Sequence, residues 1–533
     1  MNGDNTFDFI IVGAGSAGCV LANRLSADRR FTVLLIEAGK VSHPLTPVPM
    51  SYSKLIVNPK VNWCYASEPE PMMAERSIPV PRGRLLGGSS AINGLVYVRG
   101  QPMDYDAWAQ LGNRGWSFDD ILPIFQRIEN YESGADEWRR QGGPLHISEV
   151  TDQNPLYDAL LGAGEEVGLP NNPDYNGADQ MGICRTQTTI RDGRRISTAV
   201  AYLAPARSRP NLEIVTDALV HRLTLEGKRC TGISYSVGGR PVDVQARTEV
   251  IVCCGTINSP QLLELSGIGQ PALLESHGIE VRHALPGVGE SLRDHIAPRM
   301  GWTVSERGVT FNDRARGLGL LWQVLRYAIR KDGFLSLPSA PLLAFIKTRA
   351  DLESPDAQLH LVPYTFSPTK RQLLDEPGMT ITVYQLRPES LGSIHIKSAD
   401  PSEAPAIRFS FLSDPLDRQT LVDAIRFARH LMQAAAMDRF RGIEFKPGSD
   451  VQSDADIIEW IGKTAETAYH PIGTCRMGSD DNAVVNDQLL VHGIEGLRIA
   501  DGSIMPTLIS GNTNAACIMI GEKAADMVLA EHR

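Results

Sequence analysis

The sequence predicts an α/β protein in two parts: a Rossmann-like dinucleotide-binding domain and a second, α+β domain. Three observations predict it. A strand–turn–helix–strand unit occupies the first 37 residues, a stretch of mixed helices and strands covers about 300–460, and the tail from about 466 returns to glycine-rich turns and a closing helix.

The first unit opens with the apolar run Phe7-Asp8-Phe9-Ile10-Ile11-Val12, short enough for a buried strand. Gly13-Ala14-Gly15-Ser16-Ala17-Gly18 follows at once. Cys19 to Leu25 then keeps its apolar residues on one helical face, and Thr32 to Ile36 reads as a second strand ending at Glu37. Eight prolines between 44 and 81 make the next stretch a long irregular excursion, the kind of loop that carries function or covers a site. A second glycine-rich patch runs from Arg82 to Gly94. Leu212–Val215, Thr231–Val237 and Val250–Cys254 read as strands, with turns at Glu226-Gly227 and Gly238-Gly239. In the second part, Leu318–Ile329 and Arg418–Ala434 read as helices, and Leu359–Val362, Thr380–Leu386 and Ser393–Lys397 as strands; Ile518–Leu529 closes the chain as a helix.

Composition narrows the function classes. The chain has 533 residues, 42% hydrophobic and 21% charged, as in an ordinary soluble globular protein. A formal net charge of −10 argues against a nucleic-acid or anionic-membrane partner. The 8 cysteines form no C-x-x-C pair and no Cys/His cluster with metal spacing, so reduced, buried thiols and no metal are expected. Only the polar residues Asn2 to Thr6 precede the first strand, without the features of a signal peptide, and reduced thiols point to a cytoplasmic location. No run of about 18 apolar residues predicts a transmembrane helix. The nearest candidate, Gly317 to Ile329, is interrupted by Gln323 and Arg326 and reads as an amphipathic surface or substrate-domain helix.

Gly13-x-Gly15-x-x-Gly18 lies where a dinucleotide site needs it, between strand and helix. Gly13 permits the tight turn, Gly15 lets the backbone approach a pyrophosphate, and Gly18 lets helix and strand pack. The exposed N–H groups of the helix start bind the phosphates. Glu37, 24 residues after Gly13, ends the second strand and offers its carboxylate to a ribose diol. NAD and FAD share this ADP half, so the motif leaves the choice between them open.

The patch Arg82 to Gly94 resembles a signature of the glucose–methanol–choline (GMC) oxidoreductase family. So do Gly255-Thr256-Ile257-Asn258-Ser259-Pro260 with Ser266-Gly267-Ile268-Gly269, Pro286-Gly287-Val288-Gly289 before Asp294-His295, His470-Pro471-x-Gly473-Thr474-Cys475-x-Met477-Gly478, Ala500-Asp501-Gly502-Ser503, and Gly511-Asn512-Thr513-Asn514-Ala515. The matches run in family order over nearly the whole chain. Their texture is similar to bacterial choline, sorbose and polyethylene glycol dehydrogenases and to aryl or hydroxymethylfurfural-type alcohol oxidases.

The resemblance implies FAD as cofactor, on a discontinuous FAD-binding domain of residues 1–156, 194–298 and 466–533, with a substrate-binding domain of 157–193 and 299–465. It places the ADP half on Ser16, Ala17, Glu37 and Ala38 and the adenine on the backbone of Val220. Leu86, Asn93, Gly94, Leu95 and Val96 would line the pyrophosphate and isoalloxazine. Asp501, Gly502 and Asn512 to Asn514, with Thr513 between, would close over the flavin, with Trp63 and Tyr469 beside it. Among 12 histidines it selects His470 as catalytic base, a role that suits a side chain titrating near neutrality, and Asn514 as its catalytic partner. His295 is read as scaffolding; His360 and Arg387 in the second domain could reach substrate, with surface pairing as the alternative reading that is favoured.

Two departures refine these expectations. Val80 stands where some relatives carry a histidine that attaches the flavin, so FAD is expected to be non-covalent. The stretch 339–345, aligned with the substrate domain of choline-specific members, contains no acid. Leu342, Leu343 and Phe345, with Tyr469, then predict a pocket for an uncharged primary alcohol, aromatic ones included. The expected reaction is oxidation to the aldehyde, hydride passing to flavin N5 and onward to oxygen or a quinone-type acceptor, in a monomer or homodimer. Alternatives are a choline- or sugar-type dehydrogenase of the same family, a flavin-containing hydroxynitrile lyase and a nicotinamide dehydrogenase.

Overall fold

The computed structural model describes residues 5–367 and 372–532; positions 2–4 of the polar lead-in lie outside them. The strand Thr6–Val12 is flanked on one side by Val33–Ile36 and then Leu212–Val215, and on the other by Arg240–Val252 and then Leu497–Ile499, all parallel where they meet. Arg240–Val252 is long enough to leave this layer and continue as an antiparallel meander with Arg229–Val237 and Ala218–Glu226. The central strands read as nearly continuous apolar runs because both faces are covered. Thr6–Val12 feeds its neighbours in opposite directions, so the crevice at its carboxyl end is a topological switch point, where ligands of open α/β sheets bind.

A second sheet of six antiparallel strands has the order Arg441–Lys446, Arg299–Val304, Gly378–Gln385, Ala357–Val362, Leu342–Ile346 and Gly182–Arg185. Its strands alternate between two environments, as the period of two demands. Leu359, Leu361, Ile381 and Val383 join one core with Leu421, Ile425 and Ala428 of the helix Pro415–Gln433. The intervening residues Val362, Thr380, Thr382 and Tyr384 turn toward a large cavity. Pro415–Gln433 begins on an N-cap, Asp414 accepting from Leu416 N, and Pro415 at the first helical position suits that end.

The expected reduced, buried thiols need one correction. Cys19, Cys184, Cys230, Cys253 and Cys475 are buried, and Cys254 and Cys517 partly so, but Cys64 is exposed. It follows Asn62-Trp63 in the proline-rich excursion at φ 57, where an irregular surface segment leaves its side chain in solvent.

Candidate active site

The cavity measures about 1190 Å³ and runs between the two sheets. That exceeds the roughly 300–1,000 Å³ of an ordinary small-molecule pocket and leaves room for a dinucleotide and a substrate. One end is the glycine turn. Gly13 N donates to the Ile36 carbonyl, and Gly13 adopts φ 100 with the Cys253 carbonyl where a Cβ would sit. A Cβ on Gly18 would lie 1.9 Å from the Gly13 carbonyl oxygen, so Gly18 packs helix on strand and does not line the cavity. A Cβ on Gly15 would meet nothing nearer than 3.8 Å, so the backbone there faces open space, as approach to a pyrophosphate requires. Ser16 and Ala17 line the same end, with Glu37, Ala38 and Val220 beyond them. Glu37 accepts from Ala14 N at 3.0 Å and Gly39 N at 2.8 Å. Burial pushes its carboxyl up to about 7, against the pull of those two N–H groups.

The second glycine patch forms the middle of the cavity. Asn93, Gly94, Leu95 and Val96 line it. Asn93 Oδ1 accepts from Leu95 N and from the buried Arg195 guanidinium at 2.7 Å, which fixes the turn. Leu86, expected among these residues, is not part of the lining; it is buried in the core under the nucleotide sheet. Trp63 does line the cavity, stacked on Tyr65 with centroids 5.6 Å apart and under the Arg84 guanidinium. Arg82 lines it too, donating to the Tyr469 carbonyl at 2.7 Å while its buried Nε has no protein partner. An orphaned cationic donor beside an open glycine cradle suits an anionic, hydrogen-bonding cofactor. Asp501 is held by Gly255 N, Ser259 Oγ and Ser503 N, and with Gly502 and Thr513 closes the C-terminal side.

At the far end stand the histidines. Tyr469 has φ 70, a left-handed conformation costly for a bulky residue, held by Tyr469 N donating to Thr467 Oγ1 and by the Arg82 contact. This turn projects His470 into the cavity. Asp294 Oδ1 accepts from the backbone N–H of both His295 and His470, at 2.8 Å each. Burial pushes Asp294 up to about 6. His295 Nε2 lies 2.8 Å from the Leu386 carbonyl, and its Nδ1 3.0 Å from His470 Nδ1. A carbonyl only accepts, so His295 carries its proton on Nε2; burial lowers its pKa to about 4 and keeps it neutral. His295 Nδ1 is therefore an acceptor, His470 carries its proton on Nδ1, and His470 Nε2 is left with its lone pair as an acceptor at the cavity wall. Burial holds the His470 pKa well below the ordinary 6.5, and the Arg82 guanidinium pushes the same way.

The partner of that lone pair is Asn512. Its Nδ2 lies 3.0 Å from His470 Nε2. Asn514, expected in this place, is elsewhere: it begins the helix Asn514–Glu531, and its Oδ1 accepts from Ser16 Oγ at 2.7 Å, tying that helix to the nucleotide turn. The two asparagines flank Thr513, and the turn before the helix points them to different ends of the cavity. His360 is not a surface residue: it lines the cavity, 3.0 Å from the Tyr384 hydroxyl, with its pKa lowered to about 3, chiefly by burial. Arg387 donates to the Pro355 carbonyl and Ser510 Oγ.

The expected apolar substrate pocket is also corrected. Leu342, Leu343 and Phe345 pair within the second sheet, are fully buried and do not line the cavity. The wall near His470 is formed instead by Ala297, Val362, Thr382 and Tyr384, with the ion pair of Arg299 and Glu466 at 2.5 Å. Sequence reasoning missed Asn512 as the partner of His470, and Arg82, Asp294 and Tyr384; the adjacent Asp294-His295 was the one local signal. A cluster of Glu249, Glu531 and His532 lies at the nucleotide sheet, but Arg498 pairs with both of its carboxylates.

Comparison with known proteins agrees with this geometry. The family model described as GMC oxidoreductase matches in two parts, residues 7–297 and 388–521. An oxygen-dependent choline dehydrogenase of Photobacterium profundum is 41% identical over 534 residues, covering 99% of this chain and 93% of its own. One of Pseudomonas aeruginosa is 42% identical, covering 98% and 94%. Among solved structures, a pyridoxine 4-oxidase from Mesorbium loti superimposes with a TM-score of 0.89 at 30% identity, covering 99% of both chains. A formate oxidase reaches 0.92 at 28%, again over 99% of both. The glycine cradle, the cavity and these matches together make the chain a member of the GMC oxidoreductase family, an FAD-dependent oxidoreductase acting on CH–OH donors.

Proposed function

We propose that the enzyme oxidises a primary alcohol to the aldehyde, with His470 as the base and Asn512 as the group that holds the alcohol oxygen. One observation carries this: a neutral imidazole Nε2 and an amide Nδ2 stand 3.0 Å apart, hydrogen-bonded to each other, at the cavity wall. A hydroxyl arriving at this pair replaces their mutual hydrogen bond: it donates its proton to Nε2 and accepts from Nδ2 as negative charge develops on oxygen. His295 holds the His470 tautomer that makes this possible. FAD, when bound, supplies the acceptor for the hydride that leaves the same carbon. Oxygen or a quinone-type carrier takes the electrons onward.

Choline is the leading substrate. The relatives at 40–42% identity over nearly the whole chain are choline dehydrogenases, which favours it over an aromatic alcohol. Tyr384 and Tyr469 in the cavity offer ring faces to a quaternary ammonium. One observation favours a second reading, an uncharged alcohol: Glu466 is already paired with Arg299, and Lys446 lines the cavity too, so this acid offers a cation no uncompensated charge. Anaerobic titration of the yellow holoenzyme with choline, benzyl alcohol, furfuryl alcohol and short polyglycols decides. Bleaching by choline alone supports the first reading, bleaching by uncharged alcohols alone the second, and no bleaching by any of them overturns both substrate readings. Recolouring in air then separates oxygen from another acceptor.

A further inference from the structure

The helix Gly317–Arg330 stands apart from every other surface element. Of the 18 strongly exposed large hydrophobic side chains among the described residues, seven sit on it. Leu318, Leu321, Trp322, Leu325 and Ile329 fall at helical spacings of three and four, on one stripe, with exposures of 84%, 62%, 61%, 47% and 72%. Such a stripe does not pack a core. On the inner side, Leu320, Val324 and Tyr327 line the cavity. Leu320 and Val324 are exposed as well, so they form its lip, together with Leu45 and Phe366, which also both line the cavity and reach solvent. The helix is thus one edge of the entrance.

The charge around its C-terminal end is basic although the chain as a whole carries −10. Arg330 is exposed, Lys331 follows it, and the hairpin Ile190–Arg195 abuts them, with Tyr327 donating to the Gly193 carbonyl at 3.0 Å and Arg194 exposed beside it. Arg191, Arg316 and Arg326 are paired with Asp192, Asp375 and Asp332, which leaves Arg194, Arg330 and Lys331 in excess.

We infer that this helix docks the enzyme on an anionic phospholipid surface, its Leu318–Ile329 stripe entering the interface and the cavity lip facing the lipid. A leucine-rich stripe carrying one tryptophan, rimmed by Arg and Lys and too short to span, has the composition of an interfacial helix. The basic rim complements anionic headgroups. A second copy brings no acidic excess on this face to meet the basic end, whereas anionic headgroups do. Among the described residues no helix is long and apolar enough to cross a membrane, so attachment would be peripheral. The inference is independent of which alcohol is oxidised.

Flotation of the holoenzyme with vesicles tests it, using phosphatidylcholine alone and phosphatidylcholine with about one quarter phosphatidylglycerol. The wild type is expected to float with the second, less so as salt rises. Leu321→Ser/Ile329→Ser should lower binding at least about tenfold, and Arg330→Gln/Lys331→Gln should weaken it on the anionic vesicles only. Both variants should keep full flavin content and unchanged turnover with a soluble dye acceptor, which shows that they fold. A wild type that stays unbound with either vesicle, or a Leu321→Ser/Ile329→Ser enzyme that binds as well, overturns the proposal. So does a wild-type dimer that this same variant splits into monomers, which would assign the face to a second copy.

Discussion

Asn512 Nδ2 lies 3.0 Å from His470 Nε2, while Asn514, two residues on, is bonded to Ser16 in the nucleotide turn. The two amides therefore serve different ends of one cavity. Asn512→Ala should lower kcat about 10²-fold, the scale of losing one preorganised donor to a developing oxyanion, with flavin content unchanged. Asn514→Ala should weaken FAD retention and leave turnover of the loaded enzyme within a few-fold. Flavin quantitation beside steady-state kinetics checks both, and an exchange of the two phenotypes would return the catalytic role to Asn514.

His470→Ala should keep FAD, because the glycine cradle and Asn93–Val96 are untouched, and lose about 10²–10⁴-fold in kcat/KM, the usual contribution of a positioned base. Normal turnover would remove His470 from the reaction, and loss of FAD would make it a structural residue.

The pH profile follows from the same site. As the proposed base His470 acts in its neutral form, and burial holds its pKa well below 6.5. Lowering pH through 6.5 therefore leaves Nε2 unprotonated, and the fall in kcat/KM should come only below 6.5. A limb at or above 6.5 in a kcat/KM profile would mean that another group controls it.

Glu37 tests the nucleotide end. Its oxygens already take two backbone N–H groups, and each retains a lone pair for a ribose hydroxyl. Above pH 7, where the carboxyl is ionised, Glu37→Gln should raise the FAD dissociation constant about tenfold, given roughly 1.5–3 kcal/mol for hydrogen bonds to a charged group, and by less at lower pH. Equilibrium dialysis against FAD measures it. Val80 offers no nucleophile beside the cavity, so acid precipitation of the wild type should leave FAD in the supernatant; flavin in the pellet would reveal a covalent bond.

What could be read in the sequence is what sterics restrict to one residue type. Gly13 and Gly18 are legible because a Cβ at either would strike backbone oxygen, and few sequences place such glycines between strand and helix by accident. The helices 317–330 and 415–433 were legible from their apolar repeat, though not that the stripe of the first faces solvent. The cavity wall near His470 was not legible, because it depends on register. His360 is set opposite Thr382, and Tyr384 reaches the histidine only through that pairing. Leu342, Leu343 and Phe345 resemble a pocket in one dimension and prove to be the interior of a sheet. Asn512 and Asn514 are the same residue two apart, and only the turn into the final helix distinguishes them.

His295 does not line the cavity, yet it fixes the His470 tautomer: its Nε2–H donates to the Leu386 carbonyl, and its Nδ1 accepts from His470 Nδ1–H. His295→Phe removes that acceptor, so His470 can place its proton on Nε2, where it cannot act as a base. The loss in kcat should exceed about tenfold but stay below the roughly 10⁴-fold seen when an orienting carboxylate is removed from a Ser-His-Asp triad, because a neutral imidazole stabilises the histidinium less. KM should change little, since the Asn512 contact persists. His295→Gln, whose side-chain oxygen can accept the same proton, should recover part of the rate, a rescue that mere filling of space would not produce. Equal losses in both variants with equal flavin content would mean that His295 only packs against His470.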